Sequence, residues 1–269
     1  MAARQGQGQA VDPDGGGDTQ FVAAVARGME ILEVCARAGR PLGNSEIAAA
    51  TGLSAPTVSR IAYTLLSLGY LQFLPRERCY VPGARAAGLA ATVLRHLDLR
   101  ELARPEMAAL ARDAHFNVGM GTLDGDLMVY IDAFEGDGLV GLRLRAGSHV
   151  PVLTSAMGRA YIAALDETAR AALLDRLRPQ HGDEWPMVLA GIRKAERDVA
   201  EQGYCISLGD WQKDINGIAI PIVEPGTGTI YAINLGGPAY LLHEDALRGD
   251  LAPRLLAIAE RLRKRLGGT

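Results

Sequence analysis

Residues 44–64, NSEIAAATGLSAPTVSRIAYT, constrain this chain more than any other stretch. They predict two short helices joined by a glycine turn. Asn44 or Ser45 is placed to cap the first helix, with Ile47 and Ala48 leading its buried side. Gly52 supplies a turn in which positive φ costs little. Ser54 is a good N-cap for the second helix, and Pro56 falls in its first turn, where a missing N–H is harmless. Val58, Ile61, Leu65 and Leu68 recur at helical spacing and are expected to pack inward. Ala55, Thr57, Ser59, Arg60 and Tyr63 are left outward, a set of small, hydroxylated and donor side chains that suits an approach to the major groove.

A helix pair of this kind also occurs as a plain hairpin inside enzymes, so its neighbours decide. Before it runs an amphipathic helix with Val25, Met29, Leu32 and Cys35 or Ala36 along one face. After it, Tyr70–Leu74 and Cys79–Val81 read as short strands around a tip of Pro75, Arg76, Glu77 and Arg78. A β-hairpin carrying two arginines directly after a recognition helix suits phosphate or minor-groove contact. The constellation is a winged helix-turn-helix. Its candidate DNA contacts are Ser45, Ser54, Ala55, Pro56, Thr57, Ser59, Arg60, Tyr63, Arg76 and Arg78, with Arg60 best placed to read a guanine edge.

The overall charge of −3 over 269 residues looks wrong for such a role until it is divided. Residues 21–83 hold six arginines against four glutamates, a net +2, which leaves −5 for the rest. So weak a basic head favours a dimer or larger, which doubles the phosphate contacts. The length supports two domains with separate cores. No apolar run approaches the ~20 residues of a membrane span, and no signal-peptide core opens the chain. The three cysteines, Cys35, Cys79 and Cys205, lie scattered in apolar sequence without metal-ligand spacing. Buried thiols in a reducing cytoplasm are the expectation.

The sequence divides into a Gly- and Gln-rich tail expected to be disordered (1–20), the winged head (21–83), a linker helix (84–104) with a bend near Arg104–Pro105, and a body (105–269). The linker's apolar positions pair with a second copy or lie on their own domain. The body is expected to be α+β, a mostly antiparallel sheet with helices set on it. Val118–Leu123 and Leu127–Asp132 form a hairpin about Asp124–Gly125–Asp126, and Gly138–Arg145 is a third strand. A loop at SHVPVL precedes a helix over Thr154–Leu165, followed by helices over Thr168–Leu177 and Met187–Gln202. Strands at Tyr204–Leu208, Gly217–Val223 and Thr229–Gly236 and a helix over Asp245–Leu266 complete it.

Taken together, VARGMEILEVCARAGRPLGNSEIAAATGLSAPTVSRIAYTLLSLGYL, the wing ending CYVPG, LTSAMGRAYIAAL, EQGYCISLGDWQKDINGIAIPI and AINLGGP resemble the IclR family of bacterial transcriptional regulators. The resemblance covers nearly all of the chain after residue 20. It implies a GAF-like effector-binding body and a homodimer or dimer of dimers on a palindromic operator in double-stranded DNA. It further implies a repressor of a catabolic operon, sensing a small, possibly aromatic, carboxylate, with no cofactor. By the same resemblance Ala156, Met157, Leu139, Leu142, Ser207, Gly217, Asn234 and Gly236 match effector-facing positions. Where the family usually carries a Glu-rich stretch and then an Arg, this chain has LGDWQKDIN. Trp211 and Asn216 are the departures, and they imply an effector larger or differently polar than a small keto acid.

The residues themselves give that site physical sense. The Ser155–Ala156 turn opens a helix whose positive end suits a carboxylate, Asn234 offers donor and acceptor, and Trp211, Met157 and Tyr231 are candidate apolar walls. Trp211 also reads as a core or interface anchor, Met157 as core packing, and Gly236–Gly237–Pro238 as a strand terminator. A catalyst finds no support: GxGxxG, GxxxxGK[ST], HExxH and GxSxG are missing, and His96, His115, His149, His181 and His243 show no ligand spacing. An architectural DNA-binding protein without effector remains the alternative, although the roughly 185 residues from 84 onward exceed what dimerisation needs.

Overall fold

The computed structural model describes residues 21–95, 97–136 and 144–266. The chain forms two compact units, with the boundary between His96 and Leu97. In the first, α1 (Ala23–Arg37), α2 (Asn44–Thr51) and α3 (Ala55–Ser67) surround a core of Ile31, Cys35, Leu42, Ile47, Val58, Ala62, Leu65 and Leu71. Ser54 starts α3 with Pro56 in its first turn, and Gly52 takes the left-handed conformation at the end of α2. The cap of α2 is neither Asn44 nor Ser45. Gly43 holds the cap position, its N–H donating to Glu46 Oε2 at 2.9 Å. The wing is β2 (Leu71–Leu74) paired antiparallel with β3 (Cys79–Pro82), and a short β1 (Leu42–Gly43) adds to the other edge of β3.

Two faces differ from the sequence expectation. On α1 the core is met by Ile31 and Cys35, while Val25 and Met29 are exposed. On α3 Ala62 is buried and Leu68 is exposed. The displaced residues line one apolar groove among α1, α3 and α4 (Ala84–Arg95), with Leu32, Ile61 and Leu89. Helical periodicity identified apolar stripes correctly, but α1 carries two of them and the single chain covers one.

The expected linker helix over 84–104 is two helices. α4 ends at Arg95, and α5 (Asp98–Ala114) runs through Pro105 without stopping there. Proline removes the bond to the Glu101 carbonyl, which lies on an exposed turn where water can take its place. The burial of Leu99, Ala103, Met107, Leu110 and Ala111 along the other face holds the helix together.

The second unit is built on a six-stranded antiparallel sheet in the order β6-β5-β4-β9-β8-β7. Its strands are β4 (Asn117–Asp124), β5 (Leu127–Phe134), β6 (His149–Pro151), β7 (Cys205–Leu208), β8 (Ile215–Val223) and β9 (Ile230–Pro238). The segment expected to be a loop at SHVPVL supplies β6, which pairs with β5. The expected strand over Gly138–Arg145 falls largely outside the described residues, as does the tail 1–20. One face of the sheet packs on α5 and α10 (Ala252–Arg265), the latter preceded by α9 (Glu244–Ala246) and a π-turn at Leu247–Leu251. The other face packs on α6 (Ala156–Ala164), α7 (Glu167–Leu177) and α8 (Trp185–Gln202).

The β4–β5 register shifts once. Met120 opposes Asp132 and Gly121 opposes Tyr130, so Ile131 is a bulge. Without it, Tyr130 and Asp132 would share a face. With it, Tyr130 joins the core beneath α6, while Asp132 binds Arg100 and Arg104 of α5 at 3.2 and 2.7 Å.

α6 approaches the preceding loop closely at Gly158, where a Cβ would overlap the backbone of Val152. Gly158→Ala is expected to lower stability by about 1–3 kcal/mol through this overlap, read as a fall in the denaturant midpoint. An unchanged midpoint would contradict the packing.

Candidate DNA-binding face and ligand cavity

The outward side of α3 presents Ala55, Pro56, Ser59, Arg60 and Tyr63, all exposed, with Tyr63 at 69%. The buried spacing of Val58, Ala62 and Leu65 fixes this orientation. Thr57 is half-buried at the rim of the apolar groove, where its Oγ1 lies 2.9 Å from Ser54 Oγ. Ser59 is not free. Its hydroxyl accepts a short hydrogen bond from Asn44 Nδ2, tying α3 to the start of α2. Ser45, one residue further on, is exposed. At the wing tip Arg76 and Arg78 are exposed, and Arg78 takes the left-handed conformation at φ 53° that closes the hairpin. Arg85 fixes the base of the wing to α4: it donates to the Leu68 carbonyl at 3.2 Å and stacks over Tyr70.

In the second unit two small cavities adjoin at Tyr130, Leu144, Asn234 and Gly236, with volumes of about 30 and 10 Å³. Ala156, Ser207, Trp211, Gly217, Asn234 and Gly236 line the larger one, which brings together residues widely separated in sequence. Met157 does not line it. It is fully buried in the core under α6, where its sulfur faces Gly121. Tyr231 lies on the opposite face of the sheet, in the core beneath α5 and α10. Leu139 and Leu142 fall outside the described residues.

Sequence reasoning missed Tyr130, which is 3% exposed and accepts a hydrogen bond from Asn234 Nδ2 at 2.9 Å. The available signal was Gly119 in the strand between them: a Cβ there would come within 2.5 Å of the Tyr130 ring. Gly217 likewise keeps space beneath Ala156, which a Cβ would approach to 3.7 Å. Ser155 caps α6 by accepting from Gly158 N at 3.1 Å. Beside it the buried Arg159 donates to the Leu153 carbonyl and to Asp210, at 3.0 and 2.5 Å. This arginine is therefore committed to holding the loops and faces neither cavity.

No charged side chain lines either cavity among the described residues. No group of three or more His, Cys, Asp or Glu among them is placed to hold a metal ion. Burial pushes the Cys205 thiol up to about 12 and that of Cys35 to about 11, which makes both poor nucleophiles at neutral pH. No described helix is long and apolar enough to cross a membrane.

Two family models match this architecture unit by unit. The IclR helix-turn-helix domain matches residues 24–75, and the bacterial transcriptional regulator IclR C-terminal domain matches residues 91–264. The chain belongs to the IclR family. Among its relatives, the HTH-type transcriptional regulator TsaQ1/TsaQ2 of Comamonas testosteroni is 35% identical over 88% of this chain and 86% of its own length. The structure of an IclR family regulator from Brucella abortus superposes with a TM-score of 0.81 at 36% identity, covering 94% of this chain and 95% of that one. An IclR homologue from Microbacterium hydrocarbonoxydans, solved with 4-hydroxybenzoate, shares the fold at a TM-score of 0.75 and 20% identity, over 91% and 99% of the two chains. As an IclR-family member the protein is a DNA-binding transcriptional regulator.

Proposed function

We propose that the protein represses a catabolic operon from a palindromic operator and is controlled in the cytoplasm by a small aromatic carboxylate. The observation that carries the DNA reading is the exposure of Ser59, Arg60 and Tyr63 on one side of α3, with Arg76 and Arg78 exposed on the wing. Arg60 reads a guanine edge in the major groove, and the wing arginines take phosphate or minor-groove contacts.

The cavity under the start of α6 is the effector site in this reading. Its apolar walls suit a ring, and the positive end of α6 suits a carboxylate. The 4-hydroxybenzoate complex of the Microbacterium homologue supports an aromatic acid as the ligand. Effector binding alters the placement of the heads through the segment 84–104, in which Arg100 and Arg104 are held by Asp132 of β5. Two copies assemble through the groove carrying Val25, Met29, Leu68 and Leu89, whose exposure in one chain is unusual for side chains of this size.

The direct test is a gel shift on the DNA flanking the protein's own gene, with and without 4-hydroxybenzoate. Arg60→Ala is expected to relax sequence preference, costing ~1–3 kcal/mol on the preferred site and little on random DNA. Equal loss on both would reject the role given to Arg60. Arg78→Ala is expected to weaken both kinds of site and to lower the salt slope by about one; an unchanged slope would remove the wing from the contact. Met29→Glu is expected to shift the assembly toward smaller species in sedimentation and to weaken operator binding. An unaltered assembly would place the interface elsewhere.

A further inference from the structure

Where the two cavities meet, the polar side chains are Tyr130 and Asn234. Tyr130 on β5 and Asn234 on β9 flank β4, and the missing side chain of Gly119 lets the ring lie across it. Asn234 Nδ2 donates to Tyr130 Oη at 2.9 Å. That bond uses one function of each group. Asn234 Oδ1 is buried without a donor, and the phenolic hydrogen has no acceptor among the described residues. Turning the amide over exchanges the roles and leaves the same inventory: one donor and one acceptor, side by side.

The other polar side chains around the two cavities are engaged. Ser155 Oγ donates to the Pro151 carbonyl at 2.6 Å, and Ser207 Oγ donates to the Thr154 carbonyl at 3.1 Å. Asn216 Nδ2 donates to the Leu242 carbonyl at 2.9 Å, and Asn117 Oδ1 accepts from Gly136 N at 3.2 Å. Burial raises the Tyr130 phenol above its ordinary range, the bond from Asn234 only partly opposing it, so the phenol stays protonated at neutral pH. An unpaired buried acceptor costs stability unless a ligand or water meets it.

We infer that Tyr130 and Asn234 together read a hydroxyl group of the effector, which donates to Asn234 and accepts from Tyr130. This rests on the cavity being the effector site. A carboxylate there would face the amide oxygen with no cation beside it, and an ether has no proton to give. A hydroxyl is the smallest group that both donates and accepts, and cavities of about 30 and 10 Å³ hold little more than one oxygen. The remaining walls, Leu144, Val150, Trp211 and Ile215, are apolar and suit the ring that bears it. The ligand class is a phenol or a hydroxylated aromatic acid, with Tyr130 as the specificity residue.

Calorimetry on the full chain without DNA tests this with two pairs of probes: phenol against anisole, and 4-hydroxybenzoate against benzoate. The hydroxyl-bearing member of at least one pair is expected to bind at least about tenfold more tightly than its partner. If only the acid pair binds, the effector is a hydroxylated acid; if both pairs bind, the hydroxyl suffices. Tyr130→Phe keeps the buried ring and is expected to bring the members of a pair to within about twofold, and Asn234→Ala to do the same. Equal affinity for both members in the parent chain, a preference that survives Tyr130→Phe, or no binding of either hydroxyl-bearing probe would overturn the inference. A hydroxyl preference without any change in DNA retention would sink the regulatory reading and leave the pair standing. Equal release of DNA by benzoate and 4-hydroxybenzoate would do the reverse.

Discussion

The close seat of α6 on the sheet is the constraint from which the body's chemistry follows. Gly158 lets the helix start against the Val152 backbone, and Gly121 leaves room for the Met157 sulfur, which a Cβ there would approach to 2.7 Å. Met157 is thereby committed to packing, and the Ser155–Ala156 end of the helix is brought over β8 and β9 at Gly217, Asn234 and Gly236. A close-packed interior has few voids, and those here exist because glycines stand where side chains would otherwise fill the layer. Deep burial makes the space useful, since an unpaired amide oxygen and phenol weigh more in a dry site than at the surface.

A second consequence runs along β5. The bulge at Ile131 sends Tyr130 into the cavity side of the sheet and Asp132 to the side of α5. Asp132 is nearly buried between Arg100 and Arg104, and Arg104 also stacks over Phe134 at 5.3 Å. A displacement of Tyr130 by a ligand is thus two residues from the carboxylate that anchors the first turns of α5. Bulges that re-aim neighbouring side chains are common beside functional sites. In this protein the bulge joins the two readings of the body, ligand recognition and its transmission, in one strand.

The head was legible in the sequence because its signals are local: Ser54, Pro56 and Gly52 fix the turn, and the spacing of Val58 and Leu65 fixes the buried side of α3. What misled were faces whose burial depends on distant partners. Val25, Met29, Leu32 and Cys35 read as one apolar face at helical spacing, yet the core of one chain takes Ile31 and Cys35 and leaves Val25 and Met29 exposed. Pro105 read as a break because its local cost is real, but the buried face of α5 outweighs it. In the body, Ala156, Ser207, Trp211, Gly217, Asn234 and Gly236 converge on one cavity, the first and the last three from short blocks rich in small residues. Tyr130 carried no such mark, because its partner lies 104 residues away and its room is made by a glycine on another strand.

The head's geometry nevertheless decides whether any of this regulates transcription. Dimethyl sulfate interference on the flanking intergenic DNA probes it directly, because methylation of guanine N7 blocks the major-groove edge that we propose Arg60 reads. Two clusters of interfering guanines, one in each half of a palindrome and spaced by whole helical turns, are the expected result for a pair of α3 helices. Binding that no major-groove methylation disturbs would contradict it.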